Sequence, residues 1–209
     1  MTRSAWLDSP LKRASDVLVA GLALIVTSPL LAVTAVAVRL RLGAPVLFRQ
    51  QRAGRSGRSI EIIKFRSMTD ERGDDGRLLD DAARLPRFGR MLRSSSLDEL
   101  PQLISVLRGD MSLIGPRPLP LAYVERYDPE QRRRLDATPG ITGWAQVNGR
   151  NSLDWPTKLA LDVWYVDHAS PSVDLMIVAR TVRAVCSTSG IAAIDHATMH
   201  EFLGRDGGR

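Results

Sequence analysis

The longest uncharged stretch of the chain runs from Val17 to Val38, and none of its 22 residues carries a charged side chain. A helix rises 1.5 Å per residue, so a segment of this length reaches about 33 Å, roughly the hydrocarbon thickness of a bilayer. The segment therefore predicts an N-terminal membrane helix. It is too long for the apolar part of a cleaved signal peptide, and no small-residue cleavage site follows it before the next basic residues.

The middle and the flanks of this segment bear on how it meets a membrane. Ser28 and Pro29 lie near its centre, where proline removes a backbone donor and favours a kink or break. The flanking cations are Lys12 and Arg13 before the segment and Arg39 and Arg41 after it. Because both flanks are basic, the positive-inside rule favours no direction of insertion. We predict a re-entrant helix, broken at Ser28-Pro29, with both ends on one face of the membrane; a spanning helix and the buried helix of a soluble protein are the alternatives.

Composition limits the remaining possibilities. A chain of 209 residues with 44% hydrophobic and 25% charged residues is long enough for one packed domain and is neither disordered nor collagen-like. Its single cysteine, Cys186, excludes a disulfide framework and a cysteine-based zinc module. Only three of its 29 cations are lysines, against 23 acidic residues. Since arginine binds phosphate through two hydrogen bonds, this excess points to an anionic partner: nucleic acid, a membrane surface or a phosphorylated substrate.

The pattern predicts a mainly α protein with a small β-hairpin, in three parts. These are an N-terminal segment with the re-entrant helix over residues 1–42, a compact domain over 43–190 and a C-terminal tail over 191–209. We expect the hairpin within 46–69, a loop with a short helix over 70–90, and helices over 97–108, 123–134, 159–166 and 173–186. Gly109 is a natural stop for the first of these helices. The last helix carries Arg180 and Arg183 on one face and can lie on a membrane surface.

Two adjacent carboxylates, Asp98 and Glu99, stand at the start of a predicted helix. Ser96 and Glu99 have the spacing of a capping box, in which both side chains satisfy free backbone amides; Pro101 fits that helix start poorly. In either case the positive end of the helix dipole favours the ionised carboxylates. An ionised aspartate can attack phosphorus, and a neighbouring glutamate can hold a divalent metal. Capping and catalysis both remain open on spacing alone.

Several other polar and aromatic residues are candidates for the site. Arg117 stands between two prolines, whose stiff backbone lowers the entropy cost of presenting its guanidinium to an anion. Each of the remaining candidates has a structural alternative. Asp162 and Asp174 can instead be helix-face or capping residues, and His196 and His200, four apart, can be ordinary residues because no third ligand for zinc is near. The aromatic residues can rest against the membrane interface, stack on a bound base or belong to the core: Trp144, Trp155, Trp164 and Tyr165.

Six stretches, in this order, carry a resemblance to a known family. They are Lys12-Arg13, the apolar run with Ser28-Pro29, Lys64-Phe65-Arg66-Ser67-Met68, the segment from Arg93 to Gln102, the segment from Gly109 to Pro118, and the segment from Pro139 to Arg150. From about residue 10 to 190 the chain resembles the bacterial sugar transferases, the monotopic phosphoglycosyl transferases. Its length is similar to that of the small members that consist of the catalytic domain alone.

The resemblance implies transfer of a sugar 1-phosphate from a nucleotide sugar, usually a UDP-sugar, to a polyprenyl phosphate such as undecaprenyl phosphate, with release of UMP. It implies that Asp98 is the nucleophile of a covalent phosphosugar intermediate and that Glu99 binds Mg²⁺. Lys64, Arg66, Arg93, Arg117 and Arg150 lie in matched motifs, and we assign them to the nucleotide diphosphate, the uridine or the lipid phosphate; the alternative for each is an ordinary surface charge. The catalytic domain is expected on the cytoplasmic face of the bacterial inner membrane, at the first membrane step of glycoconjugate or exopolysaccharide synthesis.

Two rival classes of protein share some of these features. A nucleic-acid-binding module would use the basic excess, but the chain has no basic helix, finger or aromatic RNA-binding motif, so we expect no nucleic acid. A membrane-attached scaffold would explain the anchor and the charges without explaining the carboxylate pair. Family members can form homodimers, although no interface pattern stands out in the sequence.

Overall fold

The computed structural model describes residues 2–149, 153–186 and 201–204. The described chain is mainly helical. Its α-helices are α1 (Pro10–Leu42), α2 (Asp81–Arg84), α3 (Arg87–Ser94), α4 (Leu103–Arg108), α5 (Pro129–Arg132), α6 (Trp144–Val147), α7 (Trp155–His168) and α8 (Pro171–Cys186). Its strands are β1 (Leu47–Ala53), β2 (Ser59–Phe65), β3 (Ser112–Ile114) and β4 (Gly140–Thr142). Turns of 3₁₀ helix cover Ala5–Asp8, Arg55–Gly57, Leu97–Gln102, Leu121–Arg126 and Arg133–Asp136.

The predicted hairpin is confirmed. Strands β1 and β2 pair antiparallel from Leu47 opposite Phe65 to Ala53 opposite Ser59. Residues that face each other across a ladder share one face of the sheet, so Lys64 and Arg52 lie on the same face, at opposite ends of the hairpin. The second sheet is a short parallel pair in which Ser112 lies opposite Gly140.

Helix α1 continues without interruption through Pro29, contrary to the expected break. The proline removes the N–H that would have bonded to the carbonyl of Ile25, and the Ser28 hydroxyl donates to that carbonyl instead, at 2.8 Å. Within the described part of the chain, α1 is the one helix long and apolar enough to cross a membrane.

Both ends of α1 pack on the same domain. In its first half, Ala20 is fully buried in a cluster with Val106 and Met111. Near its end, Val38 is fully buried against Phe65 and Leu92. Large apolar side chains on the rest of its surface are exposed: Leu18, Val19, Leu22, Ile25, Val26, Leu30, Val33, Val36 and Leu40. The helix thus leaves an apolar face uncovered along most of its length.

Asp174 fastens the start of α1 to the domain. Its Oδ2 accepts from Lys12 Nζ and from Trp6 Nε1, both at 2.9 Å, and its Oδ1 accepts from the Tyr165 hydroxyl at 2.7 Å. The three donors come from the segment before α1, from α1 itself and from α7, whereas Asp174 belongs to α8. Among the roles left open for Asp174, the structure supports the structural one.

Two predicted helices differ from the structure. The helix expected over 123–134 is divided into Leu121–Arg126, α5 and Arg133–Asp136, because the residue before a proline avoids helical dihedrals and Asp128 precedes Pro129 in extended geometry. Asp128 then caps α5 through a capping box with Gln131. The helix expected over 97–108 begins as the 3₁₀ segment Leu97–Gln102 and becomes α4, which ends at Gly109 as predicted. The loop expected over 70–90 contains α2 and the start of α3, while α7 and α8 confirm the last two helices.

Part of the predicted tail returns to the domain. Phe202 is 4% exposed and packs against Tyr123, Tyr127 and Trp155, with ring centroids between 5.5 and 5.7 Å apart. The Phe202 amide also donates to the Tyr123 hydroxyl at 3.1 Å. The expected boundary at residue 190 lies outside the described residues, but residues 201–204 belong to the packed domain.

Candidate active site

Three segments meet at the carboxylate of Glu99. Lys64 reaches it from β2, with Nζ 2.7 Å from Oε1. Arg117 reaches it from the turn after β3, with Nη2 2.5 Å from Oε1 and Nη1 3.4 Å from Oε2. The side chains of Lys64 and Glu99 are 20% and 18% exposed, whereas that of Arg117 is 44% exposed. The site is therefore a partly sheltered cluster that opens to solvent on the side of Arg117.

Asp98, the neighbour of Glu99, has a different environment. The residue is 6% exposed, and among the described residues no donor reaches its Oδ1. A buried carboxylate oxygen without a partner is costly, and such atoms are concentrated where a ligand or a reaction supplies the missing interaction. Asp98 is thus the carboxylate of the pair whose buried oxygen has no hydrogen-bond partner among the described residues.

The two carboxylates have pKa values displaced in opposite directions. Burial and, after it, the negative charge of Glu99 raise the pKa of Asp98 to about 6, against the opposing effect of Lys64. Burial alone would raise the pKa of Glu99, but the charges of Arg117 and Lys64 outweigh it and hold that pKa well below its usual value. A pair of acids separated in this way is typical of a site that needs one permanent anion and one group that titrates near neutral pH.

The structure corrects two expectations for this pair. The capping box is wrong, because Ser96 adopts a left-handed conformation with φ 58° and its side chain makes no capping hydrogen bond, while Glu99 turns to Lys64 and Arg117. The helix dipole does not favour ionised Asp98, since burial raises its pKa. At the start of this 3₁₀ segment, the loss of water outweighs the favourable effect of the dipole.

The turn that carries Arg117 is held by close contact between two backbone segments. A Cβ placed on Gly115 would lie 2.3 Å from the Thr138 carbonyl oxygen, and one on Gly143 would lie 2.1 Å from the Gly115 carbonyl oxygen. A side chain at either position would overlap the neighbouring backbone, so both positions require glycine. The segment before Arg117 can therefore pack closely against β4 and against Gly143, the residue that follows β4. The separate glycine-containing motifs of the sequence are thus parts of one support.

A buried ion pair holds Arg117 from the other side. Arg134 donates to Asp162 Oδ2 from Nε at 3.0 Å and from Nη2 at 2.8 Å, and each of the two residues is 2% exposed. Arg134 Nη2 also donates to the main-chain carbonyl of Arg117 at 2.7 Å. Asp162 therefore acts on the site through Arg134. The sequence leaves the role of Asp162 undecided. It does not indicate a role for Arg134 in the site, because Arg134 stands in an ordinary run of arginines.

The other predicted cations are spread over different places. Arg93 lies near Asp98, whose pKa its charge lowers, and its Nε donates to the Ser67 hydroxyl at 3.0 Å. Arg66 instead holds the segment after α1, through the Ala44 carbonyl at 3.0 Å, and pairs with Asp70 at 2.9 Å. Arg150 lies outside the described residues. Substrate binding by all five predicted cations stays a prediction.

Two further cations near the site were not found from the sequence. Burial is the main cause that lowers the pKa values of Arg52 and Lys158, and the positive charge of Arg117 also lowers both. Lys158 also lies over the Trp155 ring, 5.2 Å from its centroid. For Arg52 the alternation along β1 was an available signal, because it places Arg52 on the same hairpin face as Lys64.

The aromatic candidates are placed by packing. Tyr165 is buried on Asp174 and belongs to the interior, whereas Trp155 is partly buried and packs on the core through Tyr123 and Phe202. Trp144 stacks on Trp164 with centroids 4.6 Å apart. His196 and His200 lie outside the described residues.

Within the described residues, the adjacent carboxylates Asp98 and Glu99 are the candidate oxygen donors for a metal ion at this site. Among the described residues no group of three or more His, Cys, Asp or Glu side chains could hold a metal. Asp98 Oδ1 has no partner, and Glu99 Oε2 has only the 3.4 Å contact with Arg117. One or two carboxylates, completed by water and substrate phosphates, fit the way proteins hold Mg²⁺.

Comparison with known proteins identifies the family of this chain. The family model described as bacterial sugar transferase matches residues 7–188. The uncharacterized sugar transferase EpsL of Bacillus subtilis is 49% identical over 93% of this chain and 96% of its own length. The exopolysaccharide production protein ExoY of Rhizobium meliloti is 38% identical over 86% of this chain and 87% of its own. The UDP-glucose:undecaprenyl-phosphate glucose-1-phosphate transferase of Caulobacter vibrioides is 41% identical over 85% of this chain and 70% of its own. The chain therefore belongs to the bacterial sugar transferase family.

Proposed function

We propose that this protein transfers a sugar 1-phosphate from a UDP-sugar to undecaprenyl phosphate, by way of a covalent phosphosugar on Asp98. The single observation that carries the proposal is the adjacent carboxylate pair: among the described residues, Oδ1 of buried Asp98 has no hydrogen-bond partner, while Glu99 is held by Lys64 and Arg117. The acceptor is supported by relatives whose names give undecaprenyl phosphate as a substrate. The UDP-sugar donor is supported by the names of relatives from Caulobacter vibrioides and Escherichia coli.

In the first step, an Asp98 oxygen attacks the phosphorus that bears the sugar, and a new O–P bond forms as the bond to the bridging oxygen breaks. UMP leaves with that oxygen. In the second step, a phosphate oxygen of the lipid attacks the same phosphorus and releases the Asp98 carboxylate, which gives undecaprenyl-diphosphate sugar. Asp98 must be deprotonated for the first step, and its pKa of about 6 leaves it mostly ionised at neutral pH.

The cations of the site match the charge of these substrates. Lys64 and Arg117 carry two positive charges next to Glu99, and Arg93 stands on the side of Asp98. Phosphoryl transfer is accelerated chiefly by fixed positive charge and by positioning, since the charge is spread over the phosphoryl oxygens in the transition state. Mg²⁺ held by Glu99 and Asp98 would add charge neutralisation on the phosphates.

For the membrane we propose that α1 is a re-entrant helix, which turns back by bending at Pro29 while its helical hydrogen bonding continues, and that the domain lies on the cytoplasmic face of the inner membrane. Packing of both Ala20 and Val38 on one domain supports a segment whose two ends stay on the same side. The exposed apolar side chains of α1 would face lipid. On α8, the exposed Leu175, Met176, Val178 and Val182 would lie at the membrane surface.

Release of UMP tests the reaction. The protein is placed in nanodiscs with undecaprenyl phosphate and Mg²⁺ and offered a panel of UDP-sugars. We expect release with at least one sugar, loss of release in Asp98→Asn, and unchanged release in Asp110→Asn, which removes an exposed carboxylate beyond α4. A phosphosugar adduct on Asp98, seen by mass spectrometry without acceptor, would identify the intermediate. Full turnover by Asp98→Asn would exclude the covalent route.

Cysteine labelling tests the membrane arrangement. A variant with Cys186→Ser and Thr2→Cys has one thiol, placed before α1. In intact cells an impermeant maleimide should not label it, and labelling should follow permeabilisation of the inner membrane. Labelling in intact cells would exclude the re-entrant arrangement with a cytoplasmic N-terminus.

A further inference from the structure

Arg52 is a cation near Arg117 to which the proposed reaction assigns no role. Its guanidinium donates from Nε at 3.1 Å and from Nη2 at 2.6 Å to one oxygen, Oε1 of Gln50. Among the described residues no carboxylate lies within ion-pair distance of Arg52. The neutral amide of Gln50 orients the half-buried guanidinium of Arg52 without neutralising it. The positive charge of Arg52 therefore remains available to bind an anion.

The register of the hairpin points Arg52 toward the site. Lys64 lies opposite Phe48 and Arg52 lies opposite Ile60, so both cations stand on one face, about 13 Å apart along the strands. At the end of β1, the Ala53 amide donates to the Leu119 carbonyl at 2.8 Å, which joins this strand to the turn that carries Arg117. Burial lowers the pKa of Arg52, and the positive charge of Arg117 lowers it further, as expected for two guanidinium groups that lie close together.

The cations and anions around Arg117 do not balance. Glu99 and ionised Asp98 offset the two charges of Lys64 and Arg117, and Asp162 is occupied by Arg134. Arg52 therefore adds a charge that the protein itself leaves uncompensated, which costs free energy unless an anion occupies the space beside it. A substrate phosphate is the anion that such a planar donor group recognises best.

We propose that Arg52, positioned by Gln50, binds a phosphate group of a substrate on the side of Arg117 away from Glu99. This inference rests on the proposed function. The phosphate belongs either to the nucleotide or to the polyprenyl lipid, and the two sources give different results in the experiment below.

The experiment compares Arg52→Gln, Arg52→Lys and the control Arg49→Gln in nanodiscs. Arg49 lies on the same strand but pairs with exposed Glu61 on the other face, so its loss removes the same charge outside the site. Two quantities are measured: the affinity for UMP by equilibrium titration, which needs no turnover, and the KM for undecaprenyl phosphate. Arg52→Gln should weaken one of them by about ten- to a hundredfold, and Arg52→Lys by less, because the charge remains but the fork is lost.

Weaker UMP binding assigns Arg52 to the nucleotide phosphate, whereas a raised KM for the lipid with unchanged UMP binding assigns it to the acceptor. If both quantities in Arg52→Gln match those in Arg49→Gln, the proposal is wrong. Absence of UMP release by the unmodified protein would instead contradict the proposed function, so the two failures are distinguishable.

Discussion

At the scale of single residues, Asp98 illustrates a conflict between stability and chemistry. The folded protein raises the pKa of this carboxylate from 3.8 to about 6, so its ionised form is less favourable in the folded state than in the unfolded chain. Above pH 6 this costs stability, and below pH 4 the cost disappears because both states are protonated. A group buried against its charge preference is typical of a residue kept for function.

Asp98→Asn should therefore stabilise the fold while it abolishes turnover. At pH 7 we expect a gain of as much as about 3 kcal/mol in the free energy of unfolding, since each pKa unit corresponds to about 1.4 kcal/mol. The gain should shrink at pH 5. Thermal unfolding of the two proteins at both pH values measures it, and Asp110→Asn is the control for removal of an exposed carboxylate. A variant that is less stable than the unmodified protein at pH 7 would show that the Asp98 charge is well compensated.

The same pKa predicts the pH dependence of the rate. Attack on phosphorus requires the deprotonated carboxylate, so kcat/KM should be constant near pH 7 to 8 and should fall about tenfold per pH unit below about pH 6. Glu99 stays ionised throughout this range because its pKa is held low by Arg117 and Lys64. UMP release at fixed ionic strength from pH 5 to 8 gives the profile. A rate that does not change between pH 7 and 5 would mean that Asp98 does not titrate in this range.

At the scale of elements, α1 keeps its helical hydrogen bonding across a proline by means of a neighbouring side chain. Ser28 donates to Ile25, the residue whose carbonyl loses its backbone donor at Pro29. In lipid no water can satisfy that carbonyl, so the serine has a structural role that would be smaller in a soluble helix.

A double-mutant cycle tests this compensation. Ser28→Ala alone should destabilise the protein by about 1 kcal/mol, because the Ile25 carbonyl is left unpaired. In a Pro29→Ala background the backbone N–H of residue 29 is restored, so Ser28→Ala should cost little there. The coupling is measured as the difference between the two shifts in Tm in nanodiscs. Equal costs in the two backgrounds would show that the serine and the proline act independently.

At the scale of the whole molecule, the core is closed by a residue from near the end of the chain. Phe202 fills the space between Tyr123, Tyr127 and Trp155, and these belong to the same cluster as Ala53 of the hairpin and Leu159 of α7. The tail residues that are described thus contribute to the support behind the site.

Phe202→Ala should destabilise the protein by about 3 to 5 kcal/mol, as expected for removal of a buried aromatic side chain. Leu203→Ala is the matched control, because Leu203 is 60% exposed and its loss should change the stability by less than about 0.5 kcal/mol. Thermal unfolding in nanodiscs compares the two variants. Equal Tm values would mean that the aromatic cluster does not contribute to stability.

Features carried by neighbouring residues could be predicted from the sequence. The apolar segment, the hairpin, the stop at Gly109 and the Asp98-Glu99 pair all depend on local pattern, since they join residues a few positions apart. The Pro-flanked Arg117 belongs to the same group. The break expected at Pro29 and the single helix expected over 123–134 failed on local details, namely the compensating hydroxyl of Ser28 and the effect of Pro129 on the residue before it.

The arrangement of the site depended on contacts that no local pattern contains. Lys64 and Glu99 are 35 residues apart, and Arg134 and Asp162 are 28 apart. The ionisation of Asp98 depends on how much water the surrounding elements exclude, which is a property of the packed domain. Residue types that are capable of the chemistry are visible in the sequence, because residue type sets reactivity. Which carboxylate oxygen lacks a partner among the described residues, and which cations face it, depends on the fold, because burial and charge pairing arise from distant segments packed together.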